Sequence, residues 1–208
     1  MTSAFSCQFI KYQPPFLKKK TKEILAFDFD GVFHNKMLDG QTIETQHRSP
    51  DQDFLYFTFI DNPNALKKYL INDTIQKVRK AIQNGDEVYI VSANGARLQK
   101  PIHTLLHNIG IDMPLENIIM KCRNKPKTLH KLKATEFTDD SMVNIISVFD
   151  QSKKKNLPHL KSLIWAWPEK GNFYDIDLNQ DKLTIFVSDD WATRIRTGSS
   201  IKGVGKIN

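Results

Sequence analysis

Two cysteines, Cys7 and Cys122, are all that the 208 residues contain. They form no spacing pattern, which excludes a disulfide scaffold and a cysteine-based zinc module and points to a reducing compartment. No apolar run approaches the length of a membrane span. The first residues lack a secretory pattern: they are polar, then Pro14-Pro15, then Lys18-Lys19-Lys20. No internal repeat is evident. What remains is an ordinary globular composition, 40% apolar and 25% charged, with a net charge of +7 that favours anionic partners such as phosphoesters, nucleic acid or an acidic membrane surface.

The rest of the chain is organised around residues 24–33, Ile-Leu-Ala-Phe-Asp-Phe-Asp-Gly-Val-Phe. An apolar run of this length bounded by glycine reads as a buried strand. Asp28 and Asp30 stand two positions apart and leave the strand end on the same side. Two carboxylates that close are costly unless a cation lies between them. Gly31 lets the chain turn at once.

Further elements alternate. Asn62-Pro63 starts a helix, and Asp73 to Gln76 reads as a capping box for another that ends at Asn84-Gly85. Val88 to Val91 reads as the second strand, ending in Ser92-Ala93-Asn94-Gly95. A helix carrying Ile102, Leu105, Leu106 and Ile109 follows. Ile118 to Met120 reads as a third strand, and Lys125 to Leu132 as a helix. Val143 to Phe149 reads as a fourth strand ending at Asp150. A short helix is expected around 154–160, and a last strand at 183–187 ends at Asp189-Asp190. Phe54, Tyr56 and residues 57–60 read as one strand of a flap hairpin. This order implies an α/β fold, a Rossmann-like parallel sheet with helices on both faces. The expected division is a leader at 1–22, a domain at 23–197 with the flap at 31–62, and a Gly/Ser-rich tail or linker at 198–208. Every polar cluster falls at a strand's carboxyl end, where such sheets bind ligands.

The Asp28-Phe29-Asp30-Gly31-Val32 element after an apolar strand resembles the first motif of the haloacid dehalogenase-like (HAD) phosphatases. Ser92 matches that family's Ser/Thr motif, with Asn94 as a second phosphate donor. Lys125 before Pro126 matches its lysine motif, with Lys121 and Lys127 as competitors. Asp150 matches its metal-binding acid, although Gln151 stands where many members have a second acid, and Asp189-Asp190 is an alternative pair. The resemblance implies a small flap or cap insertion after the first strand, at 31–62, and a Mg²⁺-dependent phosphatase in which Asp28 is the nucleophile, Asp30 the general acid, and Asp28, Asp30 and Asp150 hold the metal.

An open, small-capped site suits a phosphorylated protein, phosphotyrosine ahead of phosphoserine. A nucleic-acid end phosphatase is the alternative enzyme. A non-catalytic module that binds phosphate groups or an acidic membrane is the alternative outside catalysis. The lysine- and asparagine-rich composition resembles that of secreted effectors of intracellular bacteria, so the expected location is a cytoplasm, the bacterium's own or a host's. His103 and His107 have a zinc-ligand spacing on a helix but no third ligand nearby in sequence.

Overall fold

The computed structural model describes residues 21–34, 37–38, 41–42, 58–167 and 172–180. The expected flap aromatics Phe54, Tyr56 and Phe57, the strand at 183–187, Asp189-Asp190 and the tail lie outside the described residues. No helix among those described is long and apolar enough to cross a membrane.

Strand β1, Ile24–Phe27, pairs in parallel with β4, Glu87–Val91, on one side and with β6, Glu136–Asp139, on the other. Beyond β4 lies the short β5, Ile118–Ile119; beyond β6 lies the parallel β7, Ser162–Trp167, and then the antiparallel edge strand β8, Asn172–Ile176. The order is β5-β4-β1-β6-β7-β8. Leu25, Ala26 and Phe27 are all buried, as a central strand covered on both faces requires. A separate two-stranded antiparallel pair, β2 (Met37–Leu38) and β3 (Gln41–Thr42), follows β1.

Helices cover both faces. Helices α1, Asn72–Gln83, and α2, Gln99–Asn108, pack with Leu25, Phe27, Val88 and Ile90 in one core. Helices α3, Lys125–Leu132, and α4, Met142–Lys153, pack with Ala26, Val91, Phe137 and Leu163 in the other. The architecture is therefore the expected Rossmann-like α/β sheet. The chain runs outward through β4 and β5, then returns across β1 to β6, so the topological switch falls between β1 and β6.

Four local expectations differ from the structure. Residues 143–149 are not a strand but lie within α4. Their β-branched run favours a strand by propensity. Burial instead follows helical spacing, with Ile145, Val148 and Phe149 inside and Val143 58% exposed. The fourth strand is β6, whose lone large apolar residue, Phe137, gave a weak pattern, and β8 had not been anticipated at all. Residues 58–61 are helical, with the Asn62 amide donating to the Thr58 carbonyl at 2.7 Å, so no flap strand forms there. The Asp73–Gln76 capping box also does not form. Helix α1 starts at Asn72, and Thr74 sends its hydroxyl to the Val32 carbonyl at 2.6 Å instead. The short helix expected around 154–160 does not form; α4 ends at Lys153 and turns follow.

Candidate active site

The loop after β1 is held from beneath by aromatic packing. Phe29 stacks on Phe33 and Phe59 at centroid distances of 5.9 and 6.1 Å, and Phe33 meets Phe27 edge-on at 5.8 Å. Each such pair contributes about 0.5–1.5 kcal/mol beyond area burial. With Phe27 and Phe29 turned into the core, Asp28 and Asp30 are presented above the strand ends. The Thr74 hydroxyl and the Ile71 amide, which donates to the Phe33 carbonyl at 2.9 Å, tie the far side of the loop to the start of α1. Gly31 has φ 70°, a left-handed conformation that a side chain at this tight turn would strain.

Asp28 follows β1 directly. Its amide donates to the Thr138 carbonyl at 2.8 Å, which sets Asp28 beside Asp139 at the end of β6. Oxygens of Asp28, Asp139 and Asp140 lie within 4.8 Å of one another. Asp28 and Asp139 are buried. The ammonium of Lys125 enters the same space. It donates to Asp28 Oδ1 at 2.7 Å and to the Val91 carbonyl, and lies 3.8 Å from Asp139 Oδ2. Lys125 takes this position because it opens α3, where the Asn124 side chain caps the helix by accepting from the Lys127 amide at 3.0 Å. Lys121 and Lys127 are exposed.

Three carboxyl groups and one ammonium leave excess negative charge in a dry space. Burial, above all, pushes the Asp28 carboxyl up to about 6, helped by Asp30 and Asp140 and opposed by Lys125. Asp139 is raised well above the usual carboxylate range by burial and then by Asp28. Burial alone would lower Lys125, but Asp28 and Asp139 outweigh it and hold the ammonium above its ordinary range. The donor set, three carboxylate groups converging on one point with charge to neutralise, suits a hard divalent ion such as Mg²⁺.

The Asp30 carboxylate lies outside this trio. One oxygen accepts from His34 Nε2 at 3.1 Å and the other from the Asn94 side-chain amide. His34 is itself buried against Phe29, with ring centroids 5.1 Å apart. Ser92 is fully buried just past β4, and its Oγ accepts from the Asn94 amide at 3.2 Å. The Asn94 carbonyl accepts from the Lys121 amide at 2.8 Å and the Ser92 carbonyl from Cys122 at 2.9 Å, so this turn is anchored to the segment after β5.

The structure therefore sets Lys125 on Asp28 and, separately, Asn94 on Asp30, two hydrogen-bonded groups at neighbouring strand ends, with Ser92 beside Asn94. It does not bring in Asp150. That residue is exposed in the last turn of α4 because the segment is a helix and not a strand, and this corrects its assignment as a metal ligand. Gln151 is likewise a helix residue, so it marks no missing acid. The acidic pair is Asp139-Asp140, which the sequence reading passed over. The signal was present: two consecutive acids at the end of a short β-prone stretch, followed by Ser141 as a helix start.

Two further residues had no sequence signal. Asn144 donates its side-chain amide to both Asp139 oxygens at 3.2 and 3.0 Å, while the Ser141 amide donates to Oδ1 at 2.8 Å. His34 holds the Asp30 carboxylate. At the other end of the fold, His107 faces Asp112 at 3.7 Å, and neither His103 nor His107 joins a metal-ligand group among the described residues.

No protein-family model matches the chain, and no curated protein does. Among solved structures, the chain is similar to the HAD domain of effector protein Lem4 from Legionella pneumophila, with a TM-score of 0.44 and 16% identity. That match covers 71% of this chain and 87% of the other. At that score and identity it assigns no chemistry here. The chemistry has to come from the carboxylate trio, the buried ammonium and the held Asp30 carboxylate.

Proposed function

We propose that the protein is a Mg²⁺-dependent phosphatase that hydrolyses phosphate monoesters through an aspartyl-phosphate, with a phosphorylated protein, phosphotyrosine first, as substrate. The observation that carries this reading is the Asp28–Lys125 contact at the switch point, beside a carboxylate pair and across from a separately held carboxylate. Asp28, Asp139 and Asp140 would hold the metal, which when bound supplies positive charge to the nucleophile and the phosphoryl oxygens.

Asp28 attacks phosphorus in line, forming a carboxylate oxygen–phosphorus bond as the bond to the leaving oxygen breaks. Asp30, steadied by His34 and Asn94, gives its proton to that oxygen. It then takes a proton from the water that attacks the aspartyl-phosphate, and inorganic phosphate leaves. Lys125 sets the Asp28 carboxylate and offers its charge to the phosphoryl group. Ser92 and Asn94 stand where hydrogen bonds to phosphoryl oxygens would come from. The buried pocket works only because its charges are fixed before substrate arrives, so none must reorganise during the reaction.

The test is turnover of p-nitrophenyl phosphate, a phosphotyrosine peptide, a phosphoserine peptide and a 3′-phosphorylated oligonucleotide, with Mg²⁺ and with EDTA. Mg²⁺-dependent release of phosphate, fastest from the phosphotyrosine peptide, is expected. No release from any of the four under any metal condition would refute the reading.

A further inference from the structure

A groove of about 630 Å³ opens between α3 and α4, and two of its lining residues also hold carboxylates of the candidate site. Lys125 lines it while its ammonium rests on Asp28, and Asn144 lines it while its amide holds Asp139. Whatever fills the groove therefore lies next to the reacting centre. Three of its lining residues, Arg123, Lys127 and Lys155, are exposed cations. Among the described residues none of the three makes an ion pair. Among the described residues, no aspartate or glutamate lines the groove.

Fixed cations gathered without counter-charge favour an anionic occupant, because each contact replaces water at a surface that already attracts negative charge. The other linings narrow its kind. Amides are present at Asn124, Gln151 and Asn156, groups that match a peptide backbone. Pro126, Leu157 and Pro158 offer aliphatic surface. Among the described lining residues there is no Phe, Tyr or Trp to stack a base, and the one imidazole, His130, donates from Nδ1 to the Asn156 carbonyl at 2.7 Å, whereas single-stranded nucleic acid is held largely by aromatic stacking.

We propose that this groove holds an acidic peptide segment flanking the phosphorylated residue, so that the substrate is a phosphoprotein with Glu or Asp beside its phosphorylation site. The proposal rests on the phosphatase reading for the phosphorylated residue, but the groove's preference for acidic peptide can be measured without turnover. Arg123, Lys127 and Lys155 select the substrate; they do not touch the reacting atoms.

The experiment compares the full chain with its Arg123→Ala/Lys155→Ala variant. The probes are a Glu-flanked phosphotyrosine peptide, the same peptide with Gln in place of Glu, p-nitrophenyl phosphate and a 3′-phosphorylated oligothymidylate. Fluorescence anisotropy with the unphosphorylated Glu-rich peptide and with the oligothymidylate adds a binding arm. At low salt the unaltered chain should prefer the Glu-flanked peptide in kcat/KM by about tenfold, the sum of two or three partly screened charge contacts. The variant should bring that ratio close to one, leave p-nitrophenyl phosphate turnover unchanged and weaken binding of the Glu-rich peptide. A ratio unchanged in the variant would overturn the proposal, as would proportional loss on the small substrate. Tighter binding of the oligothymidylate than of the Glu-rich peptide through the same two residues would overturn it in favour of a nucleic-acid groove. If no substrate turns over, the phosphatase reading fails. The anisotropy arm then still decides the groove: loss of Glu-rich peptide binding in the variant upholds it, and no binding to the unaltered chain overturns it.

Discussion

Replacing Asp28, the proposed nucleophile, should make this protein inactive and more stable at once. Asp28 is 8% exposed, and its carboxyl is pushed up to about 6 from 3.8, first by burial, despite Lys125 at 2.7 Å. Keeping it ionised at pH 7 therefore costs the metal-free fold about 3 kcal/mol relative to a neutral group, at about 1.4 kcal/mol per pH unit between the two values. The sign follows from the direction of the shift. A carboxyl raised in the folded chain is protonated in both states below about pH 4 and contributes no penalty there. The penalty grows between about 4 and 6 and is complete above that.

Asp28→Asn supplies a neutral group of nearly the same shape, and Lys125 keeps the Val91 carbonyl and Asp139 as partners. In EDTA at pH 7 the variant should gain about 3 kcal/mol, raising the urea midpoint by about 1 M. At pH 4 the two proteins should unfold together. Phosphate release should be absent at every pH, because an amide cannot attack phosphorus. A variant less stable than the parent at pH 7 would refute the reasoning, as would a gain of equal size at both pH values. Either would mean that the Lys125 contact outweighs the burial of Asp28.

Asp30→Asn should slow an alkyl phosphate far more than an aryl phosphate, since only a poor leaving group needs the proton; equal losses in a two-substrate rate comparison would remove Asp30 as the acid. Asp139→Ala should raise the Mg²⁺ concentration for half-maximal turnover sharply or end turnover, while Asp150→Ala, exposed on α4, should leave the Mg²⁺ titration unmoved. Lys125→Met should cost about 3 kcal/mol at pH 7 by leaving Asp28 and Asp139 buried without a cation. That loss should shrink toward pH 4, and a double-mutant cycle with Asp28→Asn should recover most of it.

The element that the sequence specified most completely is the one whose signals are local. The strand before Asp28, the Lys125-Pro126 start of α3 and the Asn84-Gly85 end of α1 depend on residues a few positions apart. Each was legible for that reason. The alternation of strands with helices through short connections also determined the parallel sheet, because a parallel pair needs a crossover and leaves few topologies. The tertiary structure decided the partner acids. The segment Val143 to Phe149 has a strand's composition, and only packing against β6 and β7 makes it a helix with Ile145, Val148 and Phe149 inside. β6 has almost no apolar pattern of its own; it is a strand because β1 and β7 pair with it on both sides. Once its register is set, Asp139 falls beside Asp28. Asn144 and His34 lie only five and four residues from Asp139 and Asp30, the acids they hold, but those contacts acquire a role only once the two acids are set beside the site.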